Sequence, residues 1–376
     1  MTIENARVLT KDFKFETRSL SFDGEVITQE SAGGALDAGG MMVIPGLIDL
    51  HFHGCVGYDF CDGTQEAIRA IADYQAKNGV TGIAPASMTL PEETLTRVFE
   101  TAAAYESDSG AVFCGINMEG PFFCAAKKGA QNAAYLKEPD LALYRRLQDA
   151  AKGNLKLVDV APELSGAIPF IEQVSKEAVV SLGHTAADYD TAMAAFRAGA
   201  SHVTHLYNAM LPFTHRAPGV VGAASDAGAR VELICDGIHI ADPAIRATYK
   251  LFGDEQIILI SDSMMATGLE DGMYSLGGQA VKVTGNLATL EDGTIAGSAT
   301  NLFDCMRHAV ACGIPLESAV RMAAYNPARE LGVLGRMGTL EPGKLANFVL
   351  LDDELNIHAV YVKGKPAYSD FGPAVA

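Results

Sequence analysis

The sequence predicts an α/β protein: a (β/α)8 TIM barrel with a small β-sandwich-like domain built from both chain ends. Three observations predict it. From Pro45 onward, eight short apolar runs alternate with longer amphipathic ones, the pattern of parallel strands joined by helical crossovers. Eight such units in about 220 residues suit a closed barrel, and no glycine-rich dinucleotide loop follows the first run to favour an open doubly wound sheet. The two ends instead alternate with period two and show little helical pattern.

Residues 1–44 contain "RVLT", "FKFE" and "GEVITQ", and the tail contains "GKLANFVLLDDELNIHAVYVKGKPAY". Both read as antiparallel β. Neither buries a core alone, so the simplest packing joins 1–44 and 335–376 into one small β domain beside a barrel of residues 45–334.

The barrel strands, in order, are "LIDLHFH", "VTGIAPAS", "VFCGINMEG", "LKLVDVAPE", "AVVSLGHT", "HVTHLYN", "VELICDGIH" and "IILISDS". Helical stretches such as "TQEAIRAIADYQAKNG", "PEETLTRVFETAAAYES" and "DYDTAMAAFRAGA" lie between them. Thr64 or Pro91 marks a start, and Gly79 or Gly199 an end. After the eighth strand, residues 270–297 form a β-rich insertion over the barrel mouth. "LFDCMRHAVACG" and "PLESAVRMAAYNPARELG" then close the barrel as helices.

Composition narrows the function classes. The 376 residues are 49% hydrophobic and 20% charged, with net charge −18 and pI near 4.8. That argues against nucleic acid and anionic membranes as partners, but not against an anionic small substrate met by local cations and amides. Seven cysteines, none in a C-x-x-C pair, suggest reduced thiols and a cytoplasmic protein. The start lacks the apolar core of a signal peptide, and no apolar run reaches the ~18 residues of a membrane span.

Barrel active sites sit at the C-terminal ends of the strands. Those ends carry His51 and His53, Glu119, His184, His205, Asp236 with His239, and Asp262. His51 and His53 are two apart, which on a strand aims both at one spot. A lone histidine there reads most simply as a core residue bonded to a carbonyl. The four imidazoles of His51, His53, His184 and His205 with the two carboxylates of Glu119 and Asp262 at one mouth are a metal-site inventory instead, with N/O donors that suit zinc, iron, manganese or cobalt. Such an ion lowers the pKa of water from about 15.7 to about 7, giving hydroxide at neutral pH. Asp262 is the candidate proton acceptor, with metal ligand or helix cap as its plainer roles. Cys55, Cys235, Met264 and Met265 read as packing, and Lys127 and Lys128 as a solvated pair.

The motifs "PGLIDLHFHG", "SLGHT", "THLYNAM" and "SDSM" resemble the amidohydrolase superfamily. Together with "NMEGPFF", "KKGAQN", "THLYNAMLPFTHRAPG", "DGIHI", "SDSMMATG" and "GTIAGSATNL", they are similar to its N-acetylglucosamine-6-phosphate deacetylase branch. The resemblance implies one or two divalent ions per subunit: Glu119, His184 and His205 hold one, and His51 and His53, which some members lack, hold a second bridged by Glu119. Strand four carries no lysine at its end for the carboxylated bridge of other relatives.

The resemblance also implies catalysis by Asp262 as general acid/base and His239 as the group polarising the acetyl carbonyl. The substrate contacts it implies are Ala130, Gln131, Asn208, Ala209, Arg216, Asp236, His239, Ile295, Ala296 and Gly297. Arg216 would pair with phosphate, reaching the site of a neighbouring subunit in a homodimer. Gln131 stands where some relatives have histidine. His202, His215, His308 and His358 receive no role. The implied activity is hydrolysis of the N-acetyl amide of N-acetylglucosamine 6-phosphate to glucosamine 6-phosphate and acetate, a step of amino-sugar metabolism. The rivals are deacetylation of another N-acetylated sugar phosphate, hydrolysis of a cyclic amide, or a non-catalytic sugar-phosphate-binding scaffold.

Overall fold

The computed structural model describes residues 1–107 and 109–371. Eight short strands form a curled parallel sheet: β1 (Leu47–Asp49), β2 (Val80–Ile83), β3 (Ile116–Met118), β4 (Leu155–Val160), β5 (Val179–Leu182), β6 (His202–Val203), β7 (Arg230–Ile234) and β8 (Ile257–Ile260). β1 pairs with β2, and β3 to β8 pair in sequence order, all parallel. A parallel bridge from Ala86 to Asn117 joins the two groups. Beyond β8, the Asp262 N–H donates to the His51 carbonyl at 3.0 Å and the Ser261 hydroxyl to the Asp49 carboxylate at 2.5 Å. The first and last strands therefore meet.

The strands are buried on both faces, as continuous apolar runs such as Ile257–Ile260 require. Helices cover the outside, and the expected caps are in place. The Thr64 hydroxyl accepts the Ala67 N–H at 3.1 Å and starts the helix Gln65–Lys77. Pro91 precedes Glu92–Ala103, and Gly199, at φ 119°, ends Tyr189–Ala198. The stretch expected as one helix after Pro315 splits into Leu316–Val320, a π turn at Arg321–Tyr325, and Asn326–Glu330.

Strands from both chain ends share one eight-stranded sheet. Met42–Pro45 pairs with Thr2–Leu9 on one side and with Phe348–Leu351 on the other. Its own core stacks Phe348 on Tyr361 at 4.7 Å, with Phe22 edge-on at 5.5 Å from Phe348. The pairing is mixed rather than wholly antiparallel: Thr2–Leu9 runs parallel to Ala35–Asp37 and Met42–Pro45. Of the tail assigned to this region, residues 372–376 lie outside the described residues.

Between β8 and the helix Leu302–Ala311, the strands Gly272–Leu276, Gln279–Thr284 and Leu287–Thr289 form an antiparallel sheet. Met264 and Met88 pack beneath it. The Gln279 amide donates to the Ala130 carbonyl, tying this sheet to the loop after β3.

Candidate active site

The C-terminal ends of the strands meet in a cavity of about 370 Å³. The hydrogen-bonded part of β1 ends at Asp49, so His51 and His53 lie just beyond it rather than on a strand. Their segment is held on two sides: the His51 carbonyl accepts from Asp262 and the His53 N–H donates to the Ser263 carbonyl at 2.7 Å, while the Phe52 carbonyl accepts from Ala86. Both rings still converge on Glu119, with His51 Nε2 3.6 Å from Oε1 and His53 Nε2 3.4 Å from Oε2.

Glu119 follows β3, and Gly120 behind it sits at φ 89°. A Cβ on Gly120 would collide with the Thr89 hydroxyl, so only glycine fits there. His184, His205 and Asp262 each follow a strand at positive φ (48°, 27° and 49°). Left-handed backbone at a non-glycine residue costs about 1–3 kcal/mol and clusters where a side chain must be aimed. Here it turns three side chains inward at the strand ends.

Glu119 is the centre of the group. Its Oε1 lies 2.9 Å from His184 Nε2 and 3.4 Å from His205 Nε2. Asp262 Oδ1 is 3.2 Å from His53 Nε2 and 3.8 Å from His51 Nε2. Two sets of donor atoms result, His51/His53/Glu119 and Glu119/His184/His205, each within 4.8 Å. Burial raises the Glu119 carboxyl, but hydrogen bonds from His184 and His205 and the nearby rings of His51 and His53 outweigh it and hold the group well below the usual carboxylate range. Burial also raises Asp262, and the His53 hydrogen bond with the charges of His51, His53 and His205 brings it net downward. Burial lowers His184, favouring its neutral, ligating form.

The donors fit a divalent cation on two observations. His51 Nε2 is wholly buried, faces two carboxylates and has no hydrogen-bond partner among the described residues. The far nitrogens of two rings are tied back: His51 Nδ1 to Glu232 at 2.8 Å and His184 Nδ1 to the Lys127 carbonyl at 3.0 Å. Such outer bonds select the tautomer that leaves Nε2 free for an ion. Without a cation, burial of His51 is outweighed by Glu232 and Glu119, which hold it well above the usual histidine range. A proton and a cation therefore compete for its Nε2.

Of the other expected residues, Ala130, Gln131, Asn208, Ala209, His239, Ile295 and Gly297 line the cavity. Ala296 is wholly buried within the inserted sheet, its N–H bonded to Ala288. Asp236 stands behind His239, binding its Nδ1 at 2.7 Å and its backbone N–H at 2.9 Å. Gln131 is buried with both ends of its amide engaged: Nε2 donates to Glu119 Oε2 at 2.8 Å, and Oε1 accepts from Thr89 at 2.7 Å. Arg216 is exposed, away from this cavity, beside Tyr189 and Pro212. It makes no hydrogen bond or ion pair among the described residues.

Lys127, read from the sequence as a solvated charge, lines the cavity, and His202, given no role there, lies buried beneath it with Glu232, Glu330 and Asp159, which sequence reasoning passed over. His202 Nε2 faces Glu232 Oε1 at 3.2 Å and its Nδ1 faces Glu330 at 2.9 Å. Arg230 closes on the far oxygen of Glu330. Burial lowers His202, but its two carboxylates lift it to about 9. Burial also pushes Asp159, near these carboxylates, up to about 8. The available signal was an acid inside an apolar strand, as in "VELICD".

Comparison with known proteins agrees with this geometry. Residues 42–367 match the profile of the Amidohydrolase family. The chain is 35% identical over 374 residues to an N-acetylglucosamine-6-phosphate deacetylase of Bacillus subtilis, covering 97% of this chain and 93% of that protein. It is also 35% identical over 331 residues to an N-acetylgalactosamine-6-phosphate deacetylase of Escherichia coli O157:H7, covering 87% and 88%. A mutant N-acetyl-D-glucosamine-6-phosphate deacetylase from Mycobacterium smegmatis, solved in complex with N-acetyl-D-glucosamine-6-phosphate, superposes with a TM-score of 0.92 at 33% identity, over 98% of this chain and 99% of that one. With the family profile spanning most of its length and a five-residue N/O donor cluster at the strand ends, this chain belongs to the amidohydrolase family.

Proposed function

We propose that the chain is a metal-dependent deacetylase that hydrolyses the N-acetyl amide of N-acetylglucosamine 6-phosphate to glucosamine 6-phosphate and acetate. The observation that carries this reading is Glu119 held between two histidine pairs with Asp262 at their edge. It is supported by relatives of that named activity. We read the curled sheet as a (β/α)8 barrel of residues 45–334, and the sheet from both chain ends as a small β domain of 1–44 and 335–376.

Glu119, His184 and His205 would hold one divalent ion, and His51 and His53 a second with Glu119 between them. A bound ion supplies Lewis acidity, making water more acidic and a carbonyl more electrophilic. Asp262, ionised and 3.2 Å from His53, takes the proton from the attacking water and later gives it to the leaving amine. His239, oriented by Asp236, faces the cavity to hydrogen-bond the developing oxyanion. Donating from Nε2 while Nδ1 donates to Asp236 takes the doubly protonated ring. Asn208 and Ala209 offer the phosphate polar contacts, and the inserted segment contributes Leu276, Ile295 and Gly297 to the cavity lining. Gln131, which lines the cavity, holds Glu119 in place through its Nε2. Arg216 acts on the phosphate in the partner subunit of a homodimer.

The equally similar N-acetylgalactosamine-6-phosphate deacetylase favours one second reading, the epimeric sugar phosphate. Acetate release from N-acetylglucosamine 6-phosphate, N-acetylgalactosamine 6-phosphate and the two unphosphorylated sugars separates them. The reading expects the first substrate to give the highest kcat/KM. Indifference to the 6-phosphate would overturn the phosphosugar assignment.

A further inference from the structure

We infer that Glu232 is a positioning residue for the metal ligands: one carboxylate oxygen fixes the tautomer of His51 and anchors the backbone of His205. The inference rests on the ligand reading given above for His51, His53, Glu119, His184 and His205.

Glu232 sits mid-strand on β7 with no exposed surface. Its Oε2 lies 2.8 Å from His51 Nδ1 and 2.9 Å from the His205 backbone nitrogen. The backbone N–H can only donate. A carboxylate has no proton to give and only accepts, so the proton of the bond to His51 belongs to its Nδ1. That leaves His51 Nε2, which points at Glu119 and Asp262, as the lone-pair nitrogen available to an ion. One atom thereby sets the geometry of ligands from β1 and β6, whose positions in the chain are 154 residues apart (205 less 51).

The remaining charge of Glu232 is answered by His202, whose two nitrogens face Glu232 and Glu330, and Glu330 is in turn answered by Arg230. Every ring nitrogen of His202 thus faces an acceptor, so the ring carries two protons and one positive charge. Signs alternate along the series from Arg230 to Glu232, which lets a carboxylate stand under a site already holding Glu119 and Asp262. A buried ionic series of this kind is costly to desolvate, and apolar packing of the same volume is often more stable. Its position against two ligands gives it a use that packing lacks.

The test is metal binding by Glu232→Gln. The amide keeps the shape and an oxygen able to accept both bonds, but it loses the charge and turns an N–H2 toward His202, where a carboxylate oxygen stood. Zinc stoichiometry and affinity are measured by equilibrium dialysis against a competing chelator. The expected result is two ions in the wild type, and in Glu232→Gln one ion held as before and one held about 10- to 100-fold more weakly. Wild-type affinity for both ions in Glu232→Gln overturns the inference. A wild type that binds fewer than two ions instead overturns the underlying ligand reading. Independent of any variant, the imidazole ¹⁵N spectrum of the zinc-loaded wild type should show a protonated His51 Nδ1, identified by its loss in His51→Asn. An unprotonated Nδ1 there also overturns the inference, whether or not Glu232→Gln folds.

Discussion

His184 Nε2 and His205 Nε2 face each other at 3.1 Å, and each lies within 3.4 Å of Glu119 Oε1. Two neutral rings that both present lone pairs at that distance repel. Two nitrogen ligands of one tetrahedral ion at about 2.0–2.1 Å would stand roughly 3.3 Å apart. The spacing therefore suits an ion shared by the two rings and the carboxylate. Dialysis against a strong chelator is expected to stop acetate release and lower the unfolding temperature, and Zn²⁺, Mn²⁺ or Co²⁺ to restore both. At a free ion concentration about 100 times Kd, the stabilisation is about 2.7 kcal/mol. Calorimetric scans with and without chelator measure it. A melting temperature indifferent to the ion would count against the site.

Asp262 is the second test. Asparagine preserves its shape and the backbone bonds to His51 and Ser298, but cannot take up a proton. Asp262→Asn is expected to lower kcat by about 10²- to 10⁴-fold with little change in KM. The wild-type carboxyl is already held below its ordinary value of 3.8. The acid limb of kcat/KM that it controls is therefore expected below that pH, with the base form present throughout the neutral range. An Asp262→Asn enzyme with wild-type kcat would remove Asp262 from the proton-transfer role.

Arg216 gives a prediction of a different kind, because its own cavity holds no substrate position for it. Exposed and unpaired among the described residues, it is free to reach outward. If it grips phosphate in a partner's site, Arg216→Ala should lower kcat/KM by about 10- to 100-fold, the loss of one charge-assisted contact. Mixing refolded Arg216→Ala and Asp262→Asn subunits should then recover activity, since each hybrid dimer contains one site with an intact Asp262 and an intact partner arginine. No recovery on mixing, with hybrids present by native mass spectrometry, would place the arginine's action within its own subunit.

What the sequence made legible follows from physics of short range. The eight strands are short, mostly apolar runs, and strand ends in a parallel sheet face one mouth, so His51, Glu119, His184, His205 and Asp262 were readable as a group. Asp236 was readable only as a neighbour: its effect comes through His239, three residues on. Glu232 was hidden because its partner His51 is 181 residues away, and a lone acid in "VELICD" reads as an interruption of a strand. Gln131 was placed near the substrate, and it lines the cavity, but its bonds to Glu119 and Thr89 were not readable from the sequence. No periodicity reports which of two nearby groups a rotamer selects.

The last prediction concerns stability against pH and rests on His202. Buried between Glu232 and Glu330, its pKa is lifted from 6.5 to about 9. The folded state therefore binds a proton that the unfolded chain releases above pH 6.5. The stabilisation is fully present below 6.5 and is lost as pH rises through about 9. The difference in pKa corresponds to a contribution on the order of 3 kcal/mol. Asp159 adds a slope of the same sign: an acid raised to about 8 keeps a proton that the unfolded chain has already lost, so each step above its ordinary 3.8 costs stability until it ionises. Denaturant midpoints of the chelator-treated protein are expected to fall between pH 6.5 and 9. In His202→Gln the midpoint should be lower at pH 6.5 and its decline shallower, because one of the groups held above its ordinary value, a set that includes Asp159 and, without a cation, His51, no longer titrates. A His202→Gln protein with the wild-type slope would show that the ring is neutral in the fold, and that the alternating charges beneath the site end at Glu232.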